Sequence, residues 1–150
     1  MVGDNVGMAI YNEIKPKQTF IGKLKYGGDL LNELTSVCEE KSIRLGRIEA
    51  IGAVQKARIG FYDQKSREYR FSEIDKPMEI TKLTGNVSMR DGKAMVHAHI
   101  TLADSQGHAF GGHLAQGTIV FACEFIMNSY EGPDYCRAYD ERTGLPLWDI

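Results

Sequence analysis

Val87-Ser88-Met89-Arg90-Asp91-Gly92-Lys93-Ala94-Met95-Val96 decides the fold, because Asp91-Gly92 supplies the positive φ that a two-residue hairpin turn requires. Val87 to Met89 is therefore expected to pair antiparallel with Ala94 to Val96. The two arms extend naturally into strands over Met78 to Met89 and Ala94 to Leu102. The second arm runs into His97-Ala98-His99-Ile100-Thr101-Leu102-Ala103-Asp104. Successive strand side chains point to opposite faces, so His97 and His99 share one face while Ala98, Ile100 and Leu102 share the other. Ser105-Gln106-Gly107 has turn composition and would return Phe110 to His113 alongside this strand, bringing a third imidazole toward the first two.

Working outward, the pattern is β almost throughout. Thr19 to Tyr26, Gly46 to Val54, Ala57 to Tyr62, Tyr69 to Ile74 and Thr118 to Met127 read as further strands, with Asp63-Gln64-Lys65-Ser66-Arg67 as a second hairpin signal. One helix is predicted over 29–42: Asp29 follows Gly27-Gly28 as an N-cap, and Leu30, Leu31, Leu34, Val37 and Cys38 recur at the spacing of a single helical face. The ordinary role of such a stripe is to pack on a core.

These elements predict an α+β fold: a single domain over 1–150, with its core about 18–147. A mostly antiparallel sheet of six to seven strands carries the one main helix on one face. Thr118-Ile119-Val120-Phe121-Ala122-Cys123-Glu124-Phe125-Ile126-Met127 is apolar at nearly every position, the composition of a strand buried on both sides. A second subunit is the natural cover for the face that the helix leaves open. The tail, with Pro133, Thr143-Gly144-Leu145-Pro146 and Trp148, has no regular period and reads as a strap over the sheet.

Composition excludes several functions. With 18 Lys and Arg against 20 Asp and Glu, the net charge of -2 gives no clustered positive surface for a polyanion. No apolar run approaches the length of a membrane span, and Met1 to Met8 lacks the basic and apolar regions of a signal peptide, so a cytoplasmic protein without membrane contact is expected. Cys38, Cys123 and Cys136 form no C-x-x-C pair and are expected to be reduced thiols. The phosphate-binding loop, the dinucleotide G-x-G-x-x-G and the G-x-S-x-G elbow are all missing.

Gly27-Gly28-Asp29, Ile51-Gly52-Ala53-Val54, Gly60-Phe61-Tyr62-Asp63, Glu79 to Ser88, His97 to Asp104, Gly111-Gly112-His113-Leu114 and Gly117-Thr118 occur in that order. Together they resemble the PPC family, the plants and prokaryotes conserved domain, from about Lys23 to Leu147. The resemblance implies an antiparallel sheet with one main helix, assembled as a homotrimer. Plant members carry the domain beside an AT-hook, a short Arg-Gly-Arg-Pro element for the minor groove, and the family's DNA-binding label derives largely from them. This chain has no such element; Gly46-Arg47-Ile48 is its nearest string. The histidines resemble those of the stand-alone prokaryotic type, whose members look like metal-binding proteins without an assigned reaction.

Two readings of His97, His99 and His113 stand side by side. Neutral imidazoles suit Zn²⁺ and neighbouring divalent ions, and three of them leave a fourth position open to water or a ligand. Alternatively, the same residues are hydrogen-bonded within the sheet or a subunit interface. His108 reads as a solvated turn residue. Gly111 and Gly112 permit either a tight bend or the close approach of a ligand. Glu124, in an apolar strand, calls for a salt bridge across an interface, with Arg58 or Arg47, or for a role as acid or base near the metal, unless it faces solvent. Asp104 reads as a turn former at the edge of the site.

The function expected from these readings is a homotrimeric module that holds a divalent metal ion, zinc above all, and binds a small molecule or a protein; the resemblance implies in addition a DNA-binding or regulatory role, although no AT-hook is present. Direct DNA binding is expected to be weak. The alternative is a zinc-type enzyme with three histidine ligands, a hydrolase or lyase acting on a small molecule.

Overall fold

The computed structural model describes residues 9–150. The loose lead-in expected over residues 1–7 and the reading of Met1 to Met8 lie outside it. In chain order the elements are β1 (Lys15–Lys23), α1 (Leu30–Glu40), β2 (Gly46–Asp63), β3 (Glu68–Ile74), β4 (Met78–Arg90), β5 (Lys93–Ala103), β6 (Ala109–Leu114), β7 (Ile119–Glu131), β8 (Arg137–Asp140) and β9 (Leu145–Trp148). Seven strands form one antiparallel sheet in the order β1-β7-β2-β4-β5-β6, with β3 also paired to β2; β8 and β9 form a separate hairpin.

The turn that set the prediction is present. Asp91 (φ 51°) and Gly92 (φ 75°) are both left-handed, as a two-residue turn of this kind demands, and β4 pairs with β5 from Arg90↔Lys93 to Glu79↔Ala103. The predicted helix is present with its cap: the Asp29 carboxylate accepts a hydrogen bond from the Asn32 N–H at 3.1 Å. Leu30, Leu34 and Cys38, spaced by four, are fully buried. They close the inner face of the sheet together with Ile48 and Val54 of β2, Leu83 and Val87 of β4, Ile100 and Leu102 of β5, and Val120 and Met127 of β7.

Two expectations are corrected. The first strand starts earlier, at Lys15 rather than Thr19, because β7 continues to Glu131 and supplies partners as far as Lys15↔Glu131. The segments Gly46 to Val54 and Ala57 to Tyr62 are one strand of 18 residues, not two. Register shifts at Ala50/Gly52 and between Ala53 and Lys56 bend that strand without ending it, so the polar break at Gln55-Lys56 marks bulges rather than a turn. As the sequence leads one to expect, this chain alone covers β7 on one face: Val120, Cys123 and Met127 are inside, while Phe121 (57 % exposed) and Ile126 (44 %) face outward. One helix can cover only one face.

The bend in β2 positions everything that follows. Its first half pairs with β4 and β7; beyond the bulges it pairs with β3, and at Ile59↔Leu114 and Gly60↔His113 it meets β6. The path β2-β4-β5-β6 therefore closes on itself. Gly112 allows that closure, since a Cβ there would stand 2.8 Å from the Gly60 carbonyl oxygen. The tail is a strap as expected, but an ordered one. Residue Met89 bridges to Cys136, and Arg137 ties β8 to β4 through Ser88 and Asn86.

Candidate metal centre

His97 and His99 lie on the outer face of β5, opposite Asn86 and Thr84 of β4, and His113 of β6 sits directly opposite His99. The β5–β6 pairing and the closure of β6 onto β2 thus bring the third histidine to the other two. Ring centroids are 5.2 Å apart for His97 and His99, 5.1 Å for His97 and His113, and 5.7 Å for His99 and His113. One nitrogen from each ring falls within 4.8 Å of the others. The Nδ1 of His113 is buried and, among the described residues, has no hydrogen-bond partner. A buried imidazole nitrogen left unpaired is costly in a purely structural histidine, whereas it is what a metal ligand offers. The donor set therefore fits a divalent ion.

The surroundings of His97 and His113 keep these rings in their ligating form. Burial, reinforced by the Arg137 guanidinium and by the other two imidazoles, lowers the His97 pKa to about 4. Burial, with His99 and Arg137, also lowers that of His113. Both rings are consequently neutral at pH 7, with a lone pair available. The linked stability change has a definite sign. The unfolded chain takes up these protons near pH 6.5 and the folded chain only at lower pH, so stability is complete above about pH 6.5 and is lost as pH falls toward 4. The metal-free protein should show a falling Tm across that window, and His97→Asn/His113→Asn should flatten the profile. A double variant with the wild-type slope would contradict this origin.

The other candidate residues lie elsewhere. Asp104 closes the β5–β6 turn, accepting from the N–H groups of Gln106 (2.9 Å) and His108 (3.0 Å). His108 is exposed and reaches the same carboxylate at 3.3 Å, as a solvated turn residue would. Gly111 and Gly112 belong to β6 and serve close strand packing; neither has a positive φ. Glu124 points outward from β7 beside Ile21, Ile51 and Ile126. Within this chain and among the described residues Glu124 has no ion pair: Arg47 pairs with Glu49 at 2.8 Å, and Arg58 lies 4.0 Å from Glu73. An outward-facing strand position removes the burial that made a partner necessary.

Two neighbours of the triad escaped the sequence reading. Tyr69 of β3 stacks obliquely on His113, with centroids 5.0 Å apart. Arg137 of β8 places Nη2 3.4 Å from His97 Nδ1. Tyr69 sat in a predicted strand, but nothing local linked that strand to β6. Arg137 sits in a tail without a period.

Three histidines gathered on the outer face of a bent antiparallel sheet, with one helix on the inner face, define a small α+β protein with a histidine metal centre in prospect. The chain belongs to the family of the Plants and Prokaryotes Conserved (PCC) domain, which matches residues 11–131. Among solved structures it is similar to a metal-containing protein of Archaeoglobus fulgidus, at 43 % identity and TM-score 0.88 over 94 % of this chain and 99 % of that one. It is similar also to a plant- and prokaryote-conserved protein of Pyrococcus horikoshii (29 %, TM-score 0.89, 95 % and 98 % covered). A third similar structure, from Bacteroides thetaiotaomicron (29 %, TM-score 0.81, 92 % and 98 % covered), is described with a suggested DNA-binding role. Over 124 residues, 81 % of its length, the chain is 31 % identical to the bifunctional protein GlmU of Synechococcus sp. (strain JA-3-3Ab), of which it spans 19 %.

Proposed function

We propose that the chain is a homotrimeric PCC-family module that holds one divalent metal ion on His97, His99 and His113 and acts by binding a small molecule or a protein there. The observation that carries the reading is the convergence of three imidazoles, one with a buried and unpartnered Nδ1. Zinc is the ion best matched to three imidazole nitrogens. The metal content of the similar Archaeoglobus protein supports the same reading. When bound, such an ion leaves a coordination position open to water or to a ligand.

Support for assembly comes from the open face of the sheet. Ile21 (83 % exposed), Ile51 (57 %) and Ile126 (44 %) adjoin one another across β1, β7 and β2, because Ile21 pairs with Ile126 and Ile51 with Glu124. An apolar cluster of this kind is typical of a subunit contact. A cytoplasmic location and a weak, salt-sensitive affinity for DNA complete the reading. The suggested role of the Bacteroides protein raises DNA as a partner, but this chain has a net charge of -2 and no AT-hook. The hydrolase or lyase reading gains no acid or base from Glu124 or Asp104, which stand apart from the triad.

Elemental analysis and light scattering on one preparation test the proposal. Protein offered zinc at about pH 7.5 should retain about one ion per chain and scatter as a particle near 50 kDa, about three chains of 16.8 kDa. Failure to retain any first-row divalent metal would overturn the metal centre. A 16.8 kDa monomer at micromolar concentration would remove the assembly.

A further inference from the structure

Between the β8–β9 hairpin and the sheet lies a cavity of about 750 Å³, and His97 and His113 form part of its wall. The aromatic rings of Tyr62 and Tyr69 and the apolar side chains of Met95 and Leu145 line much of the rest. The lining holds three arginines, Arg67, Arg90 and Arg137, and one carboxylate, that of Asp91, 3.8 Å from Arg90. The cavity is therefore cationic before any metal is added.

Arg137 carries the argument. Its Nε donates to Ser88 Oγ at 2.9 Å, Nη1 to the Pro146 carbonyl at 3.0 Å and Nη2 to Asn86 Oδ1 at 2.9 Å. All three acceptors are neutral, and among the described residues no carboxylate pairs with this half-buried guanidinium. A buried charge without a counter-ion is costly, and a guanidinium has five N–H donors, so two remain beyond these three bonds. The remaining hydrogen-bonding neighbour is His97 Nδ1, 3.4 Å from Nη2, while the Trp148 ring centroid lies 5.7 Å from the guanidinium carbon. The Nδ1 acceptor is lost when His97 takes a metal ion. If the ion binds Nδ1, the lone pair is gone; if it binds Nε2, the neutral ring must carry its proton on Nδ1 and can no longer accept. Either way, a guanidinium with free donors stands beside a metal cation with an open coordination position, and among the described residues no anion lies between them.

We propose that this cavity binds a small organic acid, its carboxylate held by Arg137 beside the ion on His97, His99 and His113. The inference rests on the metal-centre reading above. A carboxylate fits better than a phosphate because only two donors of Arg137 are free. Arg67 spends its donors on the neutral Glu141 and Arg142 carbonyls and Arg90 pairs with Asp91, so the free N–H groups beside the triad are those of Arg137. The Tyr62, Tyr69, Met95 and Leu145 wall gives the acid's organic stem an apolar surface to cover.

Calorimetric titration of the zinc-loaded protein with butyrate, with its neutral analogue butyramide and with inorganic phosphate tests this, zinc content being measured on the same samples. Butyrate should bind at least about ten-fold more tightly than either of the others, as a charge-assisted paired hydrogen bond requires. Arg137→Gln should lose that preference while keeping its zinc. Because Arg137 also anchors the hairpin, the comparison of butyrate with butyramide on the unaltered protein stands independently of the variant. Zinc-loaded protein that does not discriminate the acid from the amide, or that prefers phosphate, overturns this inference and leaves the metal centre intact. So does an Arg137→Gln variant that keeps the preference. Protein without zinc removes both.

Discussion

Gly52→Ala should destabilise the protein by roughly 3–5 kcal/mol, combining the strain of a disfavoured backbone conformation (~1–3 kcal/mol) with overpacking of similar size. Gly52 has φ +144°, and a Cβ on it would fall 2.1 Å from the Ala122 carbonyl oxygen and 2.8 Å from the Cys123 Cα. Both obstacles are backbone atoms of β7, so no side-chain rotation can relieve the contact. The residue also sits at the register shift by which β2 bends toward β6. The urea midpoint, with a slope of about 1–3 kcal/mol per molar, should therefore fall by about 2 M. Gly107→Ala is the comparison: its φ is also positive (+81°), but nothing lies within 4 Å of the added methyl, and about 1 kcal/mol is expected. A Gly52→Ala midpoint within about 0.3 M of wild type would show that the bulge does not constrain the strand.

Removing any one imidazole of the triad should weaken zinc binding about 100-fold or more. Metal binding at protein sites is worth on the order of 10 kcal/mol, and each of three donors carries several of these. The folded state should survive. His113 Nδ1 has no hydrogen bond to lose, and the apolar residues of β5 point to the opposite face from His97 and His99. His97→Ala, His99→Ala and His113→Ala should accordingly lose most of their zinc while keeping their circular dichroism. His108→Ala, whose ring engages Asp104 rather than the triad, should keep it. Loss of zinc from His108→Ala, or full retention by any triad variant, would mean that the ion sits elsewhere.

Local signals in the sequence account for much of this site. Asp91-Gly92 fixed one hairpin, and with it the placement of His97 and His99 on the outer face, because a strand alternates without exception over so short a span. The Ser105-Gln106-Gly107 turn then brought His113 back. The sequence was less informative wherever a feature depends on distant segments meeting. The continuity of β2 through Gln55-Lys56 requires two bulges that only β4 and β7 make visible. The salt bridge expected for Glu124 assumed a buried strand, but burial there depends on what covers the outer face. Arg137 reaches His97 from 40 positions away in a tail whose composition carries no period. Its role follows from the hairpin that seats it over the sheet.

X-ray absorption at the zinc edge reads the donor atoms around the ion. Zinc-loaded protein should show about three imidazole nitrogens at roughly 2.0–2.1 Å, with a light oxygen or nitrogen donor in the remaining position and no sulfur. A spectrum dominated by sulfur near about 2.3 Å, or by oxygen alone, would contradict a centre built on His97, His99 and His113.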